Sequence, residues 1–211
     1  MFTKALKEGS WGVEVFKLQR ALEYLGYGDF VPTGFFGAKT KFAVVKFQND
    51  HGIEPTGFFG PVTRAAMNQA MTNRMKLYMT ALQYLGTDVT PDDVIPDEVA
   101  CADVVCTLLK KAGLAGDVAY TPSTNLLFNE LERSKYFTRV DQPLPGDIWI
   151  SPTGYGNGSI PNGHVGIVAE NGYILSNDSF KRTFERNYTF ETWKARYVVH
   201  GGYPVYVYRR I

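Results

Sequence analysis

Apolar residues recur at helical spacing through the first third of the chain. Val15, Leu18, Leu22 and Leu25 share one face, and Gly26 ends that run. Ala43, Val44 and Phe47 make a second face, which closes at Gly52. Gly60-Pro61 opens a third helix, with proline at the first helical position, where its missing N–H is no loss. Between these helices the hexamer PTGFFG is written twice, at Pro32–Gly37 and Pro55–Gly60. The match continues outward to Thr40 and Thr63, Ala43 and Ala66, and Gln19 and Gln48. A repeat of this kind marks a duplicated supersecondary unit. Its glycines suit tight turns, and its phenylalanine pairs suit anchoring of the loop. The pattern predicts a small all-α three-helix bundle over residues 1–72.

From Met67 to Gly86 the period is again helical, with Tyr78, Ala81, Leu82 and Leu85 on one face. TDVTPDDVIPDE then interrupts it with two prolines and a cluster of acids. Residues 73–95 are therefore expected to be a connecting helix and linker, and residues 96–211 a second domain. Pro96-Asp97-Glu98 places proline and two acids at a helix start, where the macrodipole favours negative charge. Cys101, Val105, Leu108 and Ala112 follow on one face, and Gly113 ends the helix. Beyond it the period shortens to two. LPGDIWISP, GHVGIVAE and GYILSND read as strands, the last two joined by a tight Asn171-Gly172 turn, and RYVVH and YPVYVYRR as later ones. A helix packed on an antiparallel meander is an α+β arrangement.

Composition narrows the field. The chain has 211 residues, 45% hydrophobic and 20% charged, as in ordinary globular proteins. A formal charge of +1 gives no field for steering nucleic acid, and no stretch is long and apolar enough to span a membrane. The start, MFTKALKEGSWG, lacks the apolar core of a signal peptide, so synthesis in the cytoplasm without a Sec-type leader is expected. A monomer with no cofactor is expected.

The chemistry rests on few residues. The two cysteines, Cys101 and Cys106, lie about 140° apart on a helix, a poor geometry for a disulfide. Cys101 sits within the first two turns, where the helix dipole stabilises a thiolate; Cys106 lies deeper and reads as a plain buried thiol. Of the three histidines, His51 ends a helix of the first domain and His200 reads as a turn residue between strands. His164, at the head of a strand, remains as a base. A zinc site from Cys101, Cys106 and a histidine fits neither the spacing nor the placement. The glycine-rich TGYGNGSIPNG has no following Lys-Ser/Thr and feeds a strand, so it is no phosphate cradle.

Two stretches carry resemblances. LKEGSWGVEVFKLQRALEYLGY, TGFFGAKTKFAVVKFQNDHGI and TGFFGPVT together resemble the peptidoglycan-binding three-helix module of cell-wall hydrolases. CADVVCTLLKKAG, LPGDIWISPTGYGNGSIPNGHVGIV and ILSNDS resemble papain-like cell-wall cysteine peptidases and amidases of the NlpC-type and CHAP superfamily. The combined architecture is similar to phage endolysins. The resemblance implies bacterial peptidoglycan as partner, Cys101 as nucleophile, His164 as general base and hydrolysis of a wall amide bond. Ser176, Asn177 and Asp178 stand side by side for the orienting third place. Asn177 is favoured, because its amide oxygen can accept the imidazole N–H, and strand alternation bars Ser176 and Asn177 from both facing the ring. Ala100 and Ala102 flank the cysteine where NlpC-type enzymes usually carry Asp and Ser. An inactive wall-binding protein and a metal-dependent wall amidase are the alternatives.

Overall fold

The computed structural model describes residues 2–28, 30–90, 100–154 and 162–211. Pro96-Asp97-Glu98 and residues 155–161 of the glycine-rich loop lie outside them. The chain forms two compact units, Met1–Thr72 and Asn73–Ile211.

The first unit holds α1 (Val13–Tyr24), α2 (Ala38–Asp50) and α3 (Pro61–Ala70). Val15, Leu18 and Leu22 of α1 and Val44 and Phe47 of α2 are fully buried. The duplicated hexamer has a structural cause that centres on two buried glutamines. Gln19 donates to the Phe35 carbonyl and to Thr40 Oγ1, each at 2.9 Å, and its Oε1 accepts the Thr33 and Gly34 N–H groups at 2.8 and 2.9 Å. Gln48 repeats the arrangement with the Phe58 carbonyl, Thr63 Oγ1 and the Gly57 N–H, each at 2.9 Å. Each glutamine therefore satisfies the backbone of one TGFFG loop, whose polar groups would otherwise be orphaned. Gly34 and Gly57 adopt φ of 77° and 71°, the left-handed region that a Cβ disfavours. The second phenylalanine of each hexamer, Phe36 or Phe59, is core; the first, Phe35 or Phe58, is exposed. The N-terminal segment bridges both loops, with Leu6 opposite Phe59 and Trp11 opposite Phe35.

The second unit opens with α4 (Asn73–Gln83), which packs against other elements of that unit: α5 (Cys101–Lys111), β3 (His164–Val168) and β6 (Tyr206–Arg210). Then come α6 (Thr124–Arg133), β1 (Phe137–Arg139), β2 (Ile148–Ser151), β4 (Tyr173–Asp178), β5 (Thr183–Thr189) and α7 (Phe190–Trp193). The six strands form one antiparallel sheet in the order β1-β6-β2-β3-β4-β5. Both faces are covered, which is why β2 and β3 are buried at every position instead of alternately. On one face Trp149, Val168, Ile174 and Val207 pack with Trp193, Tyr197 and Tyr203. On the other, Phe128 of α6 packs on Tyr206 and Tyr208. Helices plus antiparallel sheet make this unit α+β.

One reading of the pattern differs from the structure, and one strand escapes it. RYVVH is not a strand: Lys194–His200 continues α7 as a π-helical segment. The Thr189–Thr192 capping box starts this helix, and Trp193 and Tyr197, four apart, bury one side of it. The strand that completes the sheet there is β5, TFERNYT, whose charged residues mask its period. Asp147, after the Pro145-Gly146 turn, is fully buried; it accepts the Leu144 N–H at 2.8 Å and pairs with Arg209 through both oxygens at 3.0 and 2.7 Å.

Candidate active site

Cys101 is the first residue of α5, following Ala100 as the N-terminal flanking residue. Helix α5 packs on β3 and β4, which brings the cysteine to the head of β3. The backbone N–H groups of Val165, Ala102 and Cys101 itself bear on the sulfur and favour the thiolate. Burial outweighs them: only 8% of the residue is exposed, and desolvation raises the thiol to about 11. The thiolate expected from the helix dipole is thus not the resting form. Cys106 is buried as well, donates to the Thr121 carbonyl at 3.5 Å, and is also raised to about 11, chiefly by burial.

His164 begins β3, paired with Ser151. Its ring packs on Trp193 and Tyr197 with centroids 5.0 and 5.4 Å away, and meets the edge of Tyr188 at 5.6 Å. Trp193 is itself tied down by its Nε1–H, which donates to Ser151 Oγ at 3.0 Å. Burial in this aromatic setting lowers the imidazole to about 3; the Arg196 guanidinium lowers it further, and Asp178 partly opposes both. At neutral pH the site therefore holds a thiol and a neutral imidazole. Val165, whose N–H bears on the Cys101 sulfur, is the next residue after His164, so the two residues are neighbours; among the described residues no hydrogen bond joins sulfur to ring.

The hydrogen bond expected of Asn177 is made instead by Ser176, whose Oγ lies 2.9 Å from His164 Nε2. The register explains the correction. Gly166 pairs with Ser176, so Ser176 shares a face with His164, while alternation turns Asn177 to the other side. Ser176 in turn donates to Asn187 Oδ1 at 2.7 Å. Asn187, Tyr188, Trp193 and Tyr197 escape a reading of the pattern, because they come from β5 and the helix after it, where no spacing marks them. The only trace of the three aromatic residues is the 14% aromatic content.

The other histidines lie elsewhere. His51 Nδ1 bonds the Phe47 carbonyl at 2.9 Å and its ring stacks on Phe47; His200 is exposed at the end of the π-helical segment. Among the described residues no three His, Cys, Asp or Glu side chains cluster as a metal site. Nor is any described helix long and apolar enough to cross a membrane. In the first unit, Trp11 is 83% and Phe35 55% exposed, side by side across their bridge.

Residues 12–67 match the family model described as "Putative peptidoglycan binding domain", so the N-terminal unit carries a peptidoglycan-binding domain. Among solved structures, the SleB N-terminal domain is 30% identical over 33% of this chain and 97% of its own, with a TM-score of 0.32. A fused Zn-dependent amidase/peptidase/peptidoglycan-binding domain-containing protein from Clostridium acetobutylicum ATCC 824 is 16% identical over the full length of both chains, with a TM-score of 0.30. At those scores neither likeness bears on the chemistry. No curated protein matches the chain.

Proposed function

We propose that this protein is a cell-wall hydrolase in which the N-terminal unit holds peptidoglycan and the second unit cleaves an amide bond of the wall peptide through Cys101 and His164. The binding half rests on the family match. The chemical half rests on one observation: a cysteine at the first residue of α5 lies beside the head of β3, where His164 is anchored by Ser176.

Because both groups rest neutral, the proton moves as the bond forms, not before. The Cys101 sulfur attacks the amide carbonyl carbon while its proton passes to the free imidazole nitrogen. The carbonyl oxygen becomes an oxyanion facing the backbone N–H of Cys101 at the helix start. The imidazolium then protonates the leaving amine, the C–N bond breaks, and an acyl-enzyme remains. Water, deprotonated by His164, attacks the thioester and restores the thiol. Ser176 acts as the orienting third residue. This is the chemistry of NlpC-type and CHAP cysteine peptidases and amidases, deployed as in an endolysin at the bacterial wall. Wall binding draws on exposed Trp11 and Phe35, which present flat apolar faces to the polymer. Turbidity clearing of wall suspensions by wild type and by Cys101→Ala tests the reading. The variant should still co-sediment with the wall and clear nothing; clearing at the wild-type rate rules out Cys101 as nucleophile.

A further inference from the structure

Asn187 is the one residue of β5 with no partner across the ladder. Ile174 pairs with Tyr188 and Leu175 with Arg186, so the strand carries an extra residue between those two pairs. Alternation from Glu185, which pairs with Ser176, puts Asn187 on the face that carries Ser176 and His164, and the bulge then brings Tyr188, opposite Ile174, to that face as well. The Asn187 amide oxygen takes the Ser176 proton at 2.7 Å. A serine hydroxyl has one proton to give. With that proton committed to Asn187, Ser176 can only accept from its other neighbour, His164 Nε2, at 2.9 Å. The ring must then carry its proton on Nε2, which leaves the Nδ1 lone pair free.

We infer that Asn187, beside the β5 bulge, is a positioning residue that sets the tautomer of His164 through Ser176 and thereby makes Nδ1 the nitrogen that receives the Cys101 proton. The inference rests on the proposed hydrolase reading for its chemical meaning, but the tautomer itself is a property of the resting protein. Asn187 acts on the ring through the Ser176 hydroxyl, which lies between its amide and His164 Nε2. Were its amide replaced by an apolar group, the Ser176 proton would be free to turn toward Nε2, driving the imidazole proton to Nδ1 and removing the base from the sulfur.

With three histidines in the chain, nitrogen-15 NMR of the full-length protein can resolve each ring, and His164→Gln assigns the relevant signals. At neutral pH the wild type should show an Nε2–H correlation slow to exchange, with Nδ1 resonating as an unprotonated nitrogen. Asn187→Asp, which keeps an acceptor oxygen, should retain that spectrum. Asn187→Leu should lose the Nε2–H signal or mix it with the Nδ1–H form. Its kcat for wall clearing should fall with KM little changed. A proton on Nδ1 in the wild type, or an unchanged tautomer in folded Asn187→Leu, overturns the inference. If the leucine variant does not fold, the wild-type and Asn187→Asp spectra decide it. A wild type with the Nε2–H tautomer but no Cys101-dependent clearing would leave the inference standing and refute the hydrolase reading.

Discussion

Acid should destabilise the second unit through His164 more than through an average buried residue. The imidazole is lowered to about 3 in the folded protein, first by burial, then by Arg196, against an ordinary value of 6.5. Between those values the unfolded chain binds a proton that the native state refuses, so stability is fully present above pH 6.5 and is lost as pH falls toward 3. Each pH unit in that window costs about 1.4 kcal/mol. From pH 6.5 to 4.5 the loss is on the order of 3 kcal/mol, a large share of the stability of a domain this size. Carboxylates titrate in the same range, so the comparison must be with His164→Gln, which cannot take up the proton. Urea unfolding followed by Trp149 and Trp193 fluorescence, in a Trp11→Phe background that silences the first unit, gives both stabilities at pH 7.5 and 4.5. Wild type should lose about 3 kcal/mol more than the variant between those pH values. Equal losses would mean that His164 titrates normally and that the aromatic packing does not hold it neutral.

Other consequences follow from the same geometry. With both cysteines raised from 9.0 to about 11 by burial, their thiolate populations near pH 8 should be roughly 100-fold below that of an unperturbed thiol. Alkylation by iodoacetamide should be correspondingly slow in the native protein and fast in denaturant; rapid native labelling of Cys101 would contradict the neutral-thiol mechanism. Gln48→Ala should cost about 2–4 kcal/mol, because it strips partners from the Gly57 N–H and the Phe58 carbonyl inside the bundle. Chemical denaturation of the first unit reads that loss, and a change within a few tenths would refute the clamp. Trp11→Ala and Phe35→Ala should each weaken sedimentation with purified wall by roughly tenfold, about 1.4 kcal/mol, without lowering stability. Undiminished binding by the double variant would place the wall contact elsewhere.

The helical first unit was the most legible part of the chain, because its periods are strong and its loops duplicated. The matched positions of Gln19 and Gln48 mark the repeat, but only hydrogen-bond geometry shows that they hold the TGFFG backbone. In the second unit β2, β3 and β4 could be read from alternation and turn residues. β5 could not, since its Glu185, Arg186 and Asn187 obscure the period, and the apolar Val198-Val199 imitated a strand in a segment that the Thr189 cap starts as a helix. Cys101 and His164 stood out as rare residues at element ends. The choice between Ser176 and Asn177 needed the one-residue register of β4 against β3, which spacing alone does not supply. Nor does a helix N-terminus reveal how deeply its thiol is buried, and here burial decides the protonation state.

Cys101 is proposed to break an amide bond in the wall. Mass spectrometry of purified peptidoglycan digested by wild type and by Cys101→Ala tests it most directly. Fragments that carry a new free amine are expected from the wild type alone, on a diamino acid for an endopeptidase or on a peptide released from muramic acid for an amidase. Identical fragments from both proteins, or intact wall after wild-type digestion, would contradict it.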